Sequence, residues 1–380
     1  MEQSQELDSK ERILKNPYSF IVNWAENRLK HFGKRVFPYL CLQPISLIMP
    51  GIPYGGTLTR GNLHTLILSP SGSAKTSCAQ IVEKITFEPL QFGRITEARA
   101  ETELDLHGKT RMSLISWDVE RIFKDKEVIK ILEGVLGEEK SLMVSTMRQT
   151  INEDMNVIFY GAGLPQSITA YSQRGLIQRL IPIVVFHTEE EKMQIATHIN
   201  NMIGNMNEQQ DQTSKIKDYY NLILEIQEGK NEDYSKIDSY IIPDDFKQRV
   251  LDEWKLITLS KKFNKDIYTF RELQDAYRYM CASAVLNRFK RSIETIKGKN
   301  YIILEKNDLN LAIFLFQKEM NTKLKIVTMD NLMNDAGSRG AMKIYERIQN
   351  DSDISFIDKK MAEILIEQKY GNVAEKMKKQ

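Results

Sequence analysis

Two hydrophobic rhythms alternate along the chain. Residues 13–45 place Ile21, Trp24, Ala25, Leu29 and Phe32 at helical spacing with few breakers, which predicts one or two helices after a polar, frayed stretch over 1–12. Pro50 and Pro53, with Gly51, Gly55, Gly56 and Gly61, then predict a loop. From Leu63 to about Phe186, short apolar runs alternate with helical segments. Leu63–Leu68, Met112–Trp117, Val157–Tyr160 and Ile181–Phe186 read as strands, Ser77–Ile85 and Ile122–Leu136 as helices. Continuously apolar strands separated by helices imply a parallel sheet covered on both faces, an α/β fold. Residues 201–216 are rich in Asn and Gln and read as a flexible linker. From about 217 onward no strand alternation of any length is visible, so 217–325 is expected to be all-α. Residues 326–380 are expected to form a helical C-terminal extension with a Lys-rich end. The expected units are therefore a helical lead-in over 1–60, an α/β core over 61–200, the linker, and the two helical parts.

Composition narrows the function classes only a little. With 380 residues the chain has room for two or three compact units. The balance of 53 basic against 51 acidic residues argues against coating nucleic acid by bulk charge, though a local basic stripe remains open. Three scattered cysteines, Cys41, Cys78 and Cys281, are poor material for disulfides or a zinc site and point to a reducing compartment. The start lacks the apolar stretch of a signal peptide, and no run of about 18 apolar residues occurs, so the expectation is a cytoplasmic protein that does not span a membrane.

The chemistry is concentrated after the first predicted strand. Ser69-Pro70-Ser71-Gly72-Ser73-Ala74-Lys75-Thr76 approximates the P-loop pattern G-x-x-x-x-G-K-[ST], with Ser77 continuing into the helix. In such a loop the backbone N–H groups of Ser71, Gly72, Ser73, Ala74 and Lys75 cradle phosphates and the helix N-terminus adds positive charge. Lys75 would reach the β- and γ-phosphates of ATP, and the Thr76 hydroxyl would bind Mg²⁺. Ser69 and Ala74 stand where the pattern has glycine; Ala74 is a small change provided its φ is negative. The bland alternative is a Ser/Gly turn before a helix with a solvated Lys75. Asp118 and Glu120 follow the Met112–Trp117 run, where such a site needs one carboxylate on Mg²⁺ and one to polarise the attacking water. Asp118 is the choice for the metal and Glu120 for the water; the competing reading makes both surface acids that cap the next helix.

Taken together, these segments resemble the AAA+ ATPase domain of the minichromosome maintenance (MCM) replicative helicases, over about residues 36–320. The resemblance rests on Gly51-Ile52-Pro53 and Arg60-Gly61-Asn62-Leu63 ahead of the first strand, on Gly72-Ser73-Ala74-Lys75-Thr76 (the family also carries Ala before Lys), and on Asp118–Ile122 with Ile131-Leu132-Glu133-Gly134. It continues in Gly175-Leu176-Ile177-Gln178-Arg179-Leu180, in Tyr268-Thr269-Phe270-Arg271-Glu272-Leu273 with Ala276, and in Asn307–Ile313. It implies that Arg179 is an arginine finger completing a neighbouring subunit's ATP site and that Arg271 is the sensor arginine of a helical lid. It also implies a homo-oligomer, a hexameric ring around DNA, with replication proteins as further partners. DNA contacts would fall on Lys109 and Arg111 beside a small hairpin near Gly108, and on Lys140 and Arg148 where the family has a DNA-contacting hairpin. The carboxylates are spaced rather than adjacent, and Gly161-Ala162-Gly163-Leu164-Pro165 has no Asn where a polar sensor is expected. No counterpart of the family's N-terminal DNA-binding region is recognisable. The function expected is an ATP-driven DNA helicase or translocase of a mobile element or virus; the alternative is an ATP-binding assembly or scaffold protein with weak or no hydrolysis.

Overall fold

A computed structural model of the protein describes residues 12–54, 57–91, 111–124, 126–137, 142–145, 150–153, 156–167, 176–202, 212–260, 270–335 and 337–370. The N-terminal part folds as helices α1 (Pro17–Leu29), α2 (His31–Leu40) and α3 (Gln43–Ile48), then an antiparallel hairpin of β1 (Ile52–Tyr54) and β2 (Thr57–Thr59). The sequence pattern runs on across Lys30, but that residue turns at φ 53° and lets α2 fold back on α1. Gly33 makes the close approach possible, since a Cβ there would lie 2.1 Å from the Ala25 carbonyl oxygen.

The centre is one five-stranded sheet in the order β4-β5-β8-β3-β9, parallel throughout. Its strands are β3 (Thr65–Leu68), β4 (Pro89–Gln91), β5 (Arg111–Ser116), β8 (Asn156–Gly163) and β9 (Ile181–Val184). Four match the apolar runs of the sequence. The fifth, β4, is a three-residue edge strand beginning with proline, too short and too polar to show periodicity. Helix α4 (Lys75–Ile85) leaves β3, and the helices α5 (Val119–Lys124) and α6 (Lys126–Val135) follow β5. The antiparallel pair β6 (Leu142–Ser145) and β7 (Thr150–Glu153) lies between α6 and β8 in the chain, and α7 (Glu189–Met202) follows β9.

Strand alternation divides the interior in two. Ile67, Ile115, Ile158, Tyr160 and Ala162 point to one side, where they meet Cys78, Ala79 and Val82 of α4 together with α1–α3. Leu66, Leu68, Met112, Leu114, Val157 and Phe159 point to the other, onto Val119, Ile122 and Phe123 of α5 and Val128, Ile129 and Leu132 of α6. The latter layer is completed from far along the chain by Ile326, Met361, Ala362, Leu365 and Ile366.

The remaining elements are α8 (Thr213–Gln227), β10 (Ser239–Ile241), α9 (Asp244–Ser260), α10 (Phe270–Leu286), β11 (Ile293–Ile296), β12 (Lys299–Ile303), α11 (Lys306–Asp335), α12 (Gly337–Asn350) and α13 (Phe356–Tyr370). The expectation of an all-α region over 217–325 is corrected: β10, β12 and β11 form a three-stranded sheet, with β10 parallel to β12 and β11 antiparallel to it. The β11–β12 hairpin turns through Lys297 and Gly298, with φ of 50° and 75°. Positive φ at both central residues is the two-residue turn whose twist matches paired strands. The signal was therefore a Lys-Gly pair between apolar runs, while β10 joins β12 from about 60 residues upstream and is three residues long.

Two expected boundaries also fall differently. The division between 325 and 326 lies inside the single 30-residue helix α11. The 201–216 stretch begins within the end of α7 and ends within α8, which starts at Thr213; residues 203–211 lie outside the described residues. All three cysteines are buried, unpaired thiols, and no helix among the described residues is long and apolar enough to cross a membrane.

A buried polar network joins α10 and α11 to the strand lead-in. Lys323 lies 2.5 Å from Glu319 and 3.7 Å from Asp275, Tyr279 donates to Glu319 at 2.6 Å, and Arg278 bonds Asp275 at 2.6 Å and the Arg60 carbonyl at 3.2 Å.

If α13 is an integral layer of the core rather than an appendage, Ile366→Ala, at a fully buried position, lowers the unfolding free energy by about 2–5 kcal/mol in a denaturant titration. A loss below about 0.5 kcal/mol, the range of a surface change, contradicts this packing.

Candidate functional site

The C-terminal edge of a parallel sheet is where chain-leaving loops gather and where α/β proteins bind ligands. Here that edge carries the Ser69–Ala74 loop. Its base is laddered into the sheet by Ser69 N–H to the Gly163 carbonyl at 3.1 Å and Val185 N–H to the Leu68 carbonyl at 2.9 Å. Ser69, the larger departure from the glycine pattern, serves as a staple. Its buried hydroxyl donates to the Ser73 hydroxyl at 2.5 Å, and Ser73 donates to the Pro70 carbonyl at 2.7 Å. Ser69 is not among the residues with positive φ, so its backbone makes no demand for glycine.

Ala74 makes that demand. Its φ of 71° and ψ of 14° are left-handed, which corrects the expectation of a negative φ. Gly72 has a φ of 76°, and nothing lies within 4 Å of where its Cβ would be. Left-handed residues spaced along a short loop turn successive N–H groups to one side, forming an anion-binding concavity. Ala74 is also the N-cap of α4 and offers no side-chain cap, so the helix presents its first N–H groups at the same place, with no acidic residue in the first turn. Ser71, Gly72, Thr76 and Ser77 are exposed around it.

Lys75 opens α4. Its half-buried ammonium donates to the carbonyls of Ser69 and, at 2.8 Å, Pro70. Burial pulls its pKa down to about 8, and Glu120 and Asp118 hold it from falling further. The two carboxylates named from sequence are thus brought into the field of the lysine, although one strand, β8, separates β5 from β3.

Asp118 and Glu120 sit where β5 gives way to α5. The Asp118 carboxylate is half exposed, accepts the Glu120 N–H at 3.2 Å and faces Arg121 at 3.6 Å. It caps α5, as the bland reading had it. Three polar atoms at this edge are buried without a hydrogen-bond partner among the described residues: Ser116 Oγ, Ser167 Oγ and Glu120 Oε1. A donor set of N–H groups, an ammonium, two carboxylates and two hydroxyls fits a phosphate group with a divalent cation.

The other expected site residues lie elsewhere. Arg179 follows a short turn ahead of β9, with Ile181 opposite Thr65 at the start of β3. Four strand residues of about 3.3 Å each separate the level of Ile181 from the phosphate loop by about 13 Å, and Arg179, two residues earlier, lies toward the opposite edge of the sheet. Arg271 is helical, the second residue of α10, and its side chain lies outside the described residues. Arg111 is the first residue of β5 and pairs with Glu228, which also meets Lys230 at 2.6 Å. Lys109, Lys140, Arg148 and the expected hairpin near Gly108 lie outside the described residues.

Sequence reasoning missed a polar cluster on the β9 side of the loop. Glu191 of α7 lies 2.9 Å from Arg35, 3.6 Å from His31 and 3.8 Å from His187. His187 is buried beside the Ser73 backbone; burial lowers its pKa, Glu191 opposes the drop, and Arg35 adds to it. These residues come from the helices His31–Leu40 and Glu189–Met202 and from the connection after β9, so nothing in their spacing announces them. Only the placement of β9 next to β3 does.

Compared with known proteins, the chain matches no family model and none of the curated proteins.

A left-handed alanine costs about 1–2 kcal/mol relative to its preferred backbone. Replacing it with glycine removes that strain and returns roughly 0.5–1 kcal/mol of chain entropy to the unfolded state. Ala74→Gly is expected to be neutral to more stable by about 1 kcal/mol in chemical denaturation, and Ala74→Val to be less stable than either. A glycine variant clearly weaker than wild type contradicts the left-handed loop.

Proposed function

We propose that this chain is a P-loop ATPase of the AAA+ type, similar to the MCM helicases, that couples ATP hydrolysis to movement along DNA as a ring-shaped oligomer. The observation that carries the reading is the coupling of Lys75 to Asp118 and Glu120 across the end of the sheet. A lysine at a loop of convergent N–H groups, with two acids from an apolar strand one strand removed, is the arrangement phosphoryl transfer to water requires. In this reading Ser71–Lys75 bind the phosphates, Lys75 neutralises their charge, and Glu120 takes up the proton of the attacking water. Thr76 and Asp118 would hold Mg²⁺, which when bound supplies charge stabilisation on the phosphate oxygens. Arg179, on the sheet edge opposite its own loop, fits a role toward another copy's nucleotide and no role toward its own. Arg271 at the start of α10 would approach the γ-phosphate from the helical part, and Arg148 and Lys140 would contact DNA.

A second reading, an ATP-binding assembly or scaffold protein with weak or no hydrolysis, draws support from Asp118, whose carboxylate is already engaged by the Glu120 N–H and Arg121. DNA-stimulated ATPase assays separate the two. Turnover in the wild type and none in Lys75→Ala supports the motor; binding without turnover favours the scaffold. Native mass measurements with ATP should give a multimer, and a chain that stays monomeric at every concentration rules out Arg179 acting in trans.

The lysine also imposes a pH signature. Phosphate binding requires its protonated form, and in the free protein that form is lost as pH rises through about 8. Nucleotide affinity measured by calorimetry is therefore steady just above neutrality and weakens above about pH 8, by up to tenfold per pH unit. Lys75→Arg, which stays charged, loses that dependence whatever its absolute affinity.

A further inference from the structure

On the β9 side of the phosphate loop lies a histidine that the proposed reaction does not use. β9 runs parallel to β3 with Val184 opposite Leu68, and the Val185 N–H still reaches the Leu68 carbonyl. His187, two residues further on, is therefore carried past the strand end to the level of the loop, where it meets the Ser73 backbone. It is 8% exposed, and the fully buried Phe32 stands 6.3 Å away, ring to ring. Neither ring nitrogen has a hydrogen-bond partner among the described residues. A buried imidazole left unpaired is costly, and its neighbours show which protonation state they would pair with.

Glu191 of α7 faces the ring, 3.8 Å from Nδ1, which is too long for a hydrogen bond to a neutral imidazole and close enough to pair with a charged one. Arg35 of α2 lies 2.9 Å from the same carboxylate and also donates to the Phe186 carbonyl, next to His187 in the chain. His31, one turn earlier on α2, lies 3.6 Å from Glu191 and bonds Gln194 at 2.7 Å. Lys318 of α11 stands within the field of Arg35. From the loop comes the Ser73 backbone, which favours the charged ring as a carbonyl does. Burial outweighs Glu191 and Ser73, with Arg35 and His31 acting in the same direction, so the ring titrates below the ordinary histidine value. With the ring neutral, Arg35 and Glu191 cancel. With the ring protonated, the three groups carry a net positive charge against the loop.

We propose that His187 is a proton-operated switch for anion binding at the loop: on taking up a proton from solvent it pairs with Glu191 and the Ser73 carbonyl, and the added charge tightens the loop's hold on a bound phosphate. The inference rests on the part of the ATPase reading that makes Ser71–Lys75 an anion site, and it needs no hydrolysis. The coupling is reciprocal: what the protonated ring does for the anion, the bound anion does for protonation of the ring. A unit charge set back from the anion by roughly two to three residue widths, near a protein surface, is worth about three- to tenfold in affinity. Affinity therefore rises as pH falls through the titration of the anion-bound protein and levels off once the free protein is protonated too. This is a separate window from that of Lys75, whose charge is lost above about 8.

Two measurements on the full chain test this. In the first, the histidine ring resonances are followed through pH by NMR with and without sulfate, which stays a dianion throughout and adds no titration of its own. The His187 ring is identified by its cross-peaks to Phe32, so no variant is needed. Its midpoint should lie below that of an ordinary histidine in the free protein and rise by about half a unit to one unit with sulfate bound, the shift that a three- to tenfold coupling requires. Lys75→Ala should show no such rise. In the second, the affinity for ADP with Mg²⁺ is measured by calorimetry from about pH 7.5 down to about pH 5. It should strengthen about three- to tenfold more in wild type than in His187→Gln, because the titration of the ligand is common to both proteins. A His187 midpoint that sulfate leaves in place, or raises equally in Lys75→Ala, overturns the switch and leaves the anion loop standing. Identical pH profiles in wild type and a folded His187→Gln do the same. A wild type that binds neither sulfate nor ADP overturns both.

Discussion

All strands of the central sheet run the same way, and a parallel sheet has no face that can be left to water. That requirement organises the protein. One face is covered by α4 and the N-terminal helices, which lie close to β3 in the chain. The other is begun by α5 and α6, but finished by Ile326, Met361, Leu365 and Ile366. The chain must therefore run out through α8–α11 and come back before the sheet is sealed. The 30-residue helix α11 makes the return, packing early against α10 and later against β9 and α13. A segment that reads as an appendage thus belongs to the core. The Pro165–Ser167 turn after β8 is held from that side as well, by the Gln368 side chain.

The same sheet creates the site. Strand order sets β8 between β3 and β5, so the loop carrying Lys75 and the turn carrying Asp118 and Glu120 emerge on one edge, one strand apart. Half-burial makes the lysine's charge harder to keep, and the two acids counter that. The loop adds its own tension through Ala74, held left-handed by the surrounding bonds. Parallel direction also explains the place of Arg179: it precedes β9, so it must lie on the edge away from the loop.

Much was legible in the sequence. Leu63–Leu68, Met112–Trp117, Val157–Tyr160 and Ile181–Phe186 are apolar because they are buried on both sides, and burial on both sides marks a parallel sheet. The places of Lys75, Asp118 and Glu120 just after such strands were legible too, because position after a strand is a local property. Short edge strands escaped for the opposite reason. β4 and β10, three residues each, owe their structure to partners well separated in the chain, and periodicity needs length to register. Ala74 illustrates a subtler limit: its identity says nothing of its φ, which the Ser69–Ser73–Pro70 hydroxyl chain and the start of α4 impose.

By itself, then, the amino-acid order determined the alternating strands and helices, the parallel sheet, and the polar loop and acidic turn that follow two of its strands, because each depends on neighbours a few residues away. Only the tertiary structure decided the strand order, which of the polar groups share an edge, and which helices close the second face. It also assigned His187 and Glu191 to the surroundings of the loop, since their proximity arises from pairing β3 with β9, an event between segments about 100 residues apart that no local pattern encodes.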